Sequence, residues 1–104
     1  MRDWTDVRDV ACFLVKVNDR PQSKPFEVIN GGSGIGTSVA EIAGALTRNW
    51  SRDIAVKFSG VVREGDPFSL VADSTFARAV RFNWQIPVAQ GITDYVSWFK
   101  EIVH

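Results

Sequence analysis

The run Gly31-Gly32-Ser33-Gly34-Ile35-Gly36 constrains this chain more than any other feature. Glycine weakens helix and strand interiors alike, so regular structure must stop on either side of it. Upstream, Phe26-Glu27-Val28-Ile29-Asn30 is apolar and partly β-branched, which predicts a short strand. Downstream, Ser38 and Glu41 have the spacing of a capping box. The hydroxyl takes one orphan N–H and the carboxylate reaches back to another. A second helix follows, with Val39, Ile42, Ala43 and Leu46 as its buried stripe and an end near Trp50. Strand, glycines and helix are also the setting of a dinucleotide fingerprint. The spacing departs from it: counted from Gly32, glycines stand at Gly34 and Gly36, and the third fingerprint position holds Thr37. No Gly-Lys-Ser/Thr follows, so the mononucleotide phosphate loop is absent as well. The run reads as a strand-to-helix connection, or as a glycine-lined surface against a ligand or second domain.

The other elements follow from periodicity. Val7, Val10, Ala11, Leu14 and Val17 predict a first helix from about Asp6 to Asn18, ended by the turn chemistry of residues 19–25. Asp3, Asp6 and Asp9 suit its positive dipole end and are expected to cap and decorate it. Ile54, Val56 and Phe58 alternate with Ala55 and Lys57, which predicts a half-buried strand. Ser69 to Ala72 is expected to be extended, and Asp73 to cap a short helix carrying Phe76, Ala77 and Val80. After the turn Asn83–Pro87, the last helix runs from about Val88 to Val103, with Val88, Ile92, Tyr95, Val96, Phe99 and Val103 on one face. Gly91 inside it costs about 1 kcal/mol relative to Ala, so close packing or a frayed first turn is expected there.

Composition bounds the function. A chain of 104 residues with 45% hydrophobic residues is one domain with the material for a core. Twelve acidic residues balance twelve basic ones, which argues against a nucleic-acid binder or a polybasic membrane anchor. No apolar run reaches the length of a membrane span, and Met1-Arg2-Asp3-Trp4 is not a signal peptide, so a cytoplasmic domain is expected. Cys12 is expected as a small core residue, and His104 as a frayed terminus. With one Cys and one His, neither a metal site nor a His-assisted nucleophile is expected. The four Trp residues lie on different elements and read as packing.

One segment carries candidate chemistry. Arg63-Glu64-Gly65-Asp66-Pro67 sets a guanidinium and a carboxylate three residues apart, punctuated by Gly and Pro. A guanidinium grips phosphate oxygens in a fork, and a carboxylate accepts from a pair of sugar hydroxyls. The same residues also suit a solvated loop.

Several segments together resemble the extended short-chain dehydrogenase/reductases, the NAD-dependent epimerase/dehydratase family. Arg2-Asp3-Trp4-Thr5-Asp6-Val7-Arg8-Asp9-Val10-Ala11 is similar to their Arg-Asp-aromatic segment, and residues 26–34 to their strand-plus-glycine segment. Arg63-Glu64-Gly65-Asp66 and Ala72-Asp73 resemble their Arg-x-Gly-Asp and Ala-Asp pairs. Asn83-Trp84 with Pro87, and Trp98-Phe99, fall where the family has a turn and an aromatic pair. The nearest branch is the nucleotide-sugar 4-epimerases, with the 4,6-dehydratases as the alternative. Val62, Asp6 and Leu70 depart from the 4-epimerase pattern, where a basic residue, a His and an aromatic are common.

The resemblance is to the family's C-terminal third. It implies that residues 1–104 form a substrate-binding domain, the C-terminal fragment of a longer pattern, without the Rossmann domain and the catalytic Tyr-x-x-x-Lys. Tyr95 has Phe99 four residues on and does not replace that pair. The fold class implied is α/β: a small mixed domain of about four helices and three short strands. Arg63 would clamp a diphosphate, Asp66 would hold ribose hydroxyls, and Arg2 would approach the phosphates from the other side. The implied ligand is a nucleotide-sugar, a UDP-sugar first. No cofactor is expected on this chain, and NAD is implied for the full-length relatives. The chain is not expected to be catalytically competent alone; a stand-alone, non-catalytic interaction or ligand-binding module is the other reading. Removing a cofactor domain would leave an unpaired edge beside residues 26–30, so self-association is expected.

Overall fold

The structure, a computed structural model, describes residues 1–21, 24–51 and 53–103. Among these residues it is a small mixed domain of four helices and a two-stranded antiparallel sheet. The order is β1 (Arg2–Asp3), α1 (Val7–Asp19), β2 (Gly36–Thr37), α2 (Val39–Trp50), α3 (Thr75–Ala79) and α4 (Val88–Val103). Strand β1 pairs with β2 through Arg2 opposite Thr37 and Asp3 opposite Gly36. On its other side it makes a parallel bridge from Arg2 to Leu70.

Local chemistry explains the helix ends. Asp6 caps α1, its carboxylate accepting from the Arg8 N–H at 2.9 Å. The expected capping box opens α2: Glu41 N–H donates to Ser38 Oγ at 3.1 Å, and Ser38 N–H donates to Glu41 Oε2 at 2.7 Å. At α3 the capping position falls on Ser74, one residue later than expected. Asp73 instead accepts from the Thr75 N–H at 2.9 Å and braces the turn before the helix. The end of α3 is a Schellman motif. Phe82 N–H donates to the Ala77 carbonyl and Arg81 N–H to the Arg78 carbonyl, with Arg81 at φ 57°, where glycine is usual. At Gly91 an added Cβ would stand 3.1 Å from Asp6 Oδ2, so close packing accounts for a glycine inside α4.

Packing divides into two clusters. Phe13 of α1 stacks on Trp84 at 5.4 Å and meets Phe82 and Phe76 edge-on at 5.1 and 6.4 Å. Ile42 of α2 and Val96 of α4 are the buried residues of the second cluster, where the two helices lie together. Polar contacts join them. Buried Asp9 accepts from the Gln85 and Ile86 N–H groups at 3.1 and 2.8 Å. Arg8 donates to Asp6 and to Asp94 of α4, at 2.9 and 2.8 Å. Lys100 donates to the last carbonyls of α2 and lies over the Trp50 ring.

Several expectations are corrected. Residues Phe26–Asn30 and Ile54–Phe58 are not paired as strands, because no neighbouring strand lies alongside them among the described residues. Helix α1 buries Asp9 and Phe13, while Val7, Ala11 and Leu14 of the expected stripe are exposed. Cys12 is exposed rather than in the core. Asp9 stands in the first turn of α1 as expected, but its carboxylate, like that of Asp3 before the helix, binds distant backbone. Parts of the residue 19–25 turn, and His104, lie outside the described residues.

The core is thinner than composition suggests: its buried apolar members are Phe13, Ile42, Ala77 and Val96. The accessible surface is 8272 Å², against roughly 5,800 Å² for a compact monomer of this length. The radius of gyration is 16.8 Å, against about 13 Å for a compact chain. The surplus is largely apolar. Phe26 and Val28 are each 80% exposed, and Phe68 is 93% exposed.

Three outcomes are expected. In sedimentation velocity the chain should show a mass above the monomer that grows with concentration; a single monomeric species at high concentration contradicts this. Asp9→Ala should orphan two part-buried N–H groups and cost about 1–3 kcal/mol in urea unfolding followed by circular dichroism. Asp6 provides the pH dependence. The Arg8 guanidinium, bound to it directly, outweighs burial and holds its carboxyl down at about 2 from the ordinary 3.8. A depressed carboxyl stabilises the fold above its unfolded value and loses that contribution as pH falls through the folded one. The urea midpoint should therefore drop from about pH 4 to about pH 2, and Asp6→Asn should flatten part of that drop.

Candidate functional site

The site begins with two backbone alignments on β1. Asp3 N–H donates to the Leu70 carbonyl at 3.1 Å, and Leu70 N–H donates to the Met1 carbonyl at 3.0 Å. The Met1 amino group donates to the Phe68 carbonyl at 3.0 Å. Residues 68–70 thus run beside β1, overlapping the expected Ser69–Ala72 segment at Ser69 and Leu70, and Arg2 is the residue that bridges to Leu70.

The Asp3 carboxylate locks this arrangement. Oδ1 accepts from Ser33 N–H at 3.1 Å and from Ser33 Oγ at 2.6 Å. Oδ2 accepts from Gly34 N–H at 2.8 Å and from Ala72 N–H at 3.1 Å. An ionised carboxylate has about four acceptor positions, and here four donors use them. Burial pushes the Asp3 carboxyl up, but the hydrogen bonds from Ser33, Gly34 and Ala72 together outweigh it and hold it below its ordinary value.

This answers what the glycine run does. Its backbone N–H groups converge on an anion, as phosphate-binding loops do, with Gly34 at φ 80°. The anion is the protein's own Asp3. Gly32 is required for close approach: an added Cβ would stand 2.4 Å from the Ala72 Cβ and 2.7 Å from Asp3 Oδ2. Within the chain the run is clasped to β1 and to Ala72.

Arg63 and Asp66 stand at the two ends of one exposed turn, closed by the Asp66 N–H donating to the Arg63 carbonyl at 3.4 Å. Gly65 has φ 87°, the geometry that a type II turn requires at its third position. The turn sets the two residues close along the chain. Asp66 precedes by two residues the segment that lies along β1. Arg2 is half-buried, and its Nη1 donates to the Met1 carbonyl at 2.9 Å. Arg2 bridges to Leu70, four residues after Asp66, and no contact joins Arg2 to Arg63 or Asp66 among the described residues.

The larger hollows lie elsewhere. One of about 360 Å³ is walled by Trp4, Ile42, Leu46, Ile86, Ile92 and Tyr95, between the start of α1 and helices α2 and α4. Two others, of about 280 and 240 Å³, lie at Ser33, Thr37 and Trp84 and between α2 and α4 at Trp50, Ile54 and Phe99 respectively. Arg2, Arg63 and Asp66 do not line them. Among the described residues no group of His, Cys, Asp and Glu has a metal-ligand arrangement. No helix described is long and apolar enough to cross a membrane.

Sequence reasoning missed Asp3 and Gly32. Nothing in spacing alone shows that a carboxylate at position 3 reaches an N–H at position 72.

No protein-family model matches the chain, and no solved structure matches it at significance. Over 111 aligned positions it is 33% identical to a UDP-glucose 4-epimerase of Caenorhabditis elegans. The alignment takes in 89% of this chain and 32% of that protein, so the chain spans about a third of the length of the curated relative it matches. At the coarse level the chain is similar to part of an epimerase.

Proposed function

We propose that the chain is the nucleotide-sugar binding portion of an NAD-dependent nucleotide-sugar epimerase, and that it is not catalytically competent alone. The observation that carries this reading is the similarity to a UDP-glucose 4-epimerase across nearly the whole of this chain but only 32% of that protein. Two structural features support it. A turn with Arg63 and Asp66 at its ends adjoins a segment laid along the strand that holds Arg2. The thin core and the exposed Phe26, Val28 and Phe68 are what a part of a larger protein shows when its neighbouring part is absent.

In this reading Arg63 clamps the diphosphate with its planar fork, and Arg2 approaches the same phosphates from β1. Asp66 accepts from the two ribose hydroxyls. The domain supplies orientation and binding energy. Hydride transfer to and from NAD belongs to polypeptide carrying the Tyr-x-x-x-Lys pair, which this chain does not contain. The same contacts serve a 4,6-dehydratase, which would share the nucleotide and differ at the sugar.

The test is titration with UDP and UDP-sugars, read by calorimetry and by amide NMR shifts. Wild type should bind, and Arg63→Ala should lower affinity at least tenfold by removing charge-assisted hydrogen bonds of about 1.5–3 kcal/mol. Absence of binding at millimolar ligand favours the other class, a module without nucleotide affinity.

A further inference from the structure

We propose that Asp3 is the positioning residue of this site: its carboxylate clasps the glycine run and Ala72 to β1, and so sets Arg2 and the Arg63–Asp66 turn in one fixed relation. The inference rests on the nucleotide reading given above and adds a residue that never touches the ligand.

The geometry is specific. Three segments remote in sequence meet on one side chain: β1 itself, the run at Ser33 and Gly34, and the loop at Ala72. Asp3 also fixes the register of the loop through its main chain, since its N–H binds the Leu70 carbonyl. Leu70 and Ala72 are thus tied to one residue by main chain and side chain respectively. From Leu70 back to Asp66 is four residues, a reach of at most about 14 Å. Arg63 lies just across the turn. Without the clasp, Ala72 would keep only its packing against Gly32 and Gly34, and the 63–72 loop its backbone contacts to Met1 and β1.

The residue type matters. Four donors converge on two oxygens, and an anion with two acceptor oxygens satisfies all of them. Asparagine of nearly the same shape offers one acceptor oxygen and turns an NH₂ group toward the remaining donors. Gly32 belongs to the same device, because a side chain there would collide with both Asp3 and Ala72.

The experiment uses the 104-residue chain. UDP affinity is measured by calorimetry, and the amide signals of Gly65 and Asp66 by NMR, for wild type, Asp3→Asn, Gly32→Ala, Ser33→Ala and the Asp3→Asn/Gly32→Ala double variant. Asp3→Asn should weaken UDP binding about tenfold and move the Gly65 and Asp66 amides, because charge-assisted hydrogen bonds are lost. Ser33→Ala, the mildest change and the one that guards against a fold too weak to study, should weaken binding about two- to threefold. The double variant should bind no worse than the weaker single variant, because both break one clasp. A folded Asp3→Asn chain with wild-type affinity overturns the proposal. So do effects that multiply in the double variant, or a Ser33→Ala chain unchanged in both readouts. If wild type binds no UDP, the nucleotide reading falls and the clasp is judged on the Gly65 and Asp66 amides alone. Movement of those signals in Asp3→Asn supports it, and unmoved signals overturn it.

Discussion

The fold of the site depends on one buried-edge anion. Asp3 brings a negative charge to a place where four N–H and O–H groups already converge. Each donor would be costly to leave unpaired, and the carboxylate would be costly to leave unsolvated. Each therefore makes the other's position favourable. A sheet of two residues per strand has little stability of its own. The side-chain clasp supplies what the ladder lacks, and it ties in a loop that contributes only one bridge to the sheet.

The same economy of structure recurs between the helices. Asp9 binds the backbone of residues 85 and 86, and Arg8 spans from the start of α1 to α4. Polar side chains reaching distant backbone hold together elements whose apolar contact is slight. That is the expected behaviour of a chain whose buried apolar set is small while Phe26, Val28, Val61, Val62 and Phe68 remain in water. Burial of those side chains would be worth roughly 1.5–3 kcal/mol each.

The candidate site gains meaning from this frame. Arg63 and Asp66 are exposed on a turn, and exposed charges alone distinguish nothing. What separates this turn from an ordinary loop is its attachment, two residues on, to a strand carrying a further arginine. The attachment runs through backbone and through Asp3.

Local signals in the sequence determined the local structure. The helix at 39–50 follows from Ser38 and Glu41, and the helix at 7–19 from its period and from Asp6. These are short-range effects, and they act within a few residues of their cause. The Arg63–Asp66 turn was likewise legible from Gly65. Tertiary structure decided everything that joins remote positions. It chose the Asp9–Phe13 face of α1 over the Val7–Leu14 stripe, left residues 26–30 and 54–58 without strand partners, exposed Cys12, and gave Asp3 its place. A strand needs a partner to exist, and a carboxylate needs converging donors to be buried. Neither is written at the position concerned, because each is supplied by chain far away along the sequence.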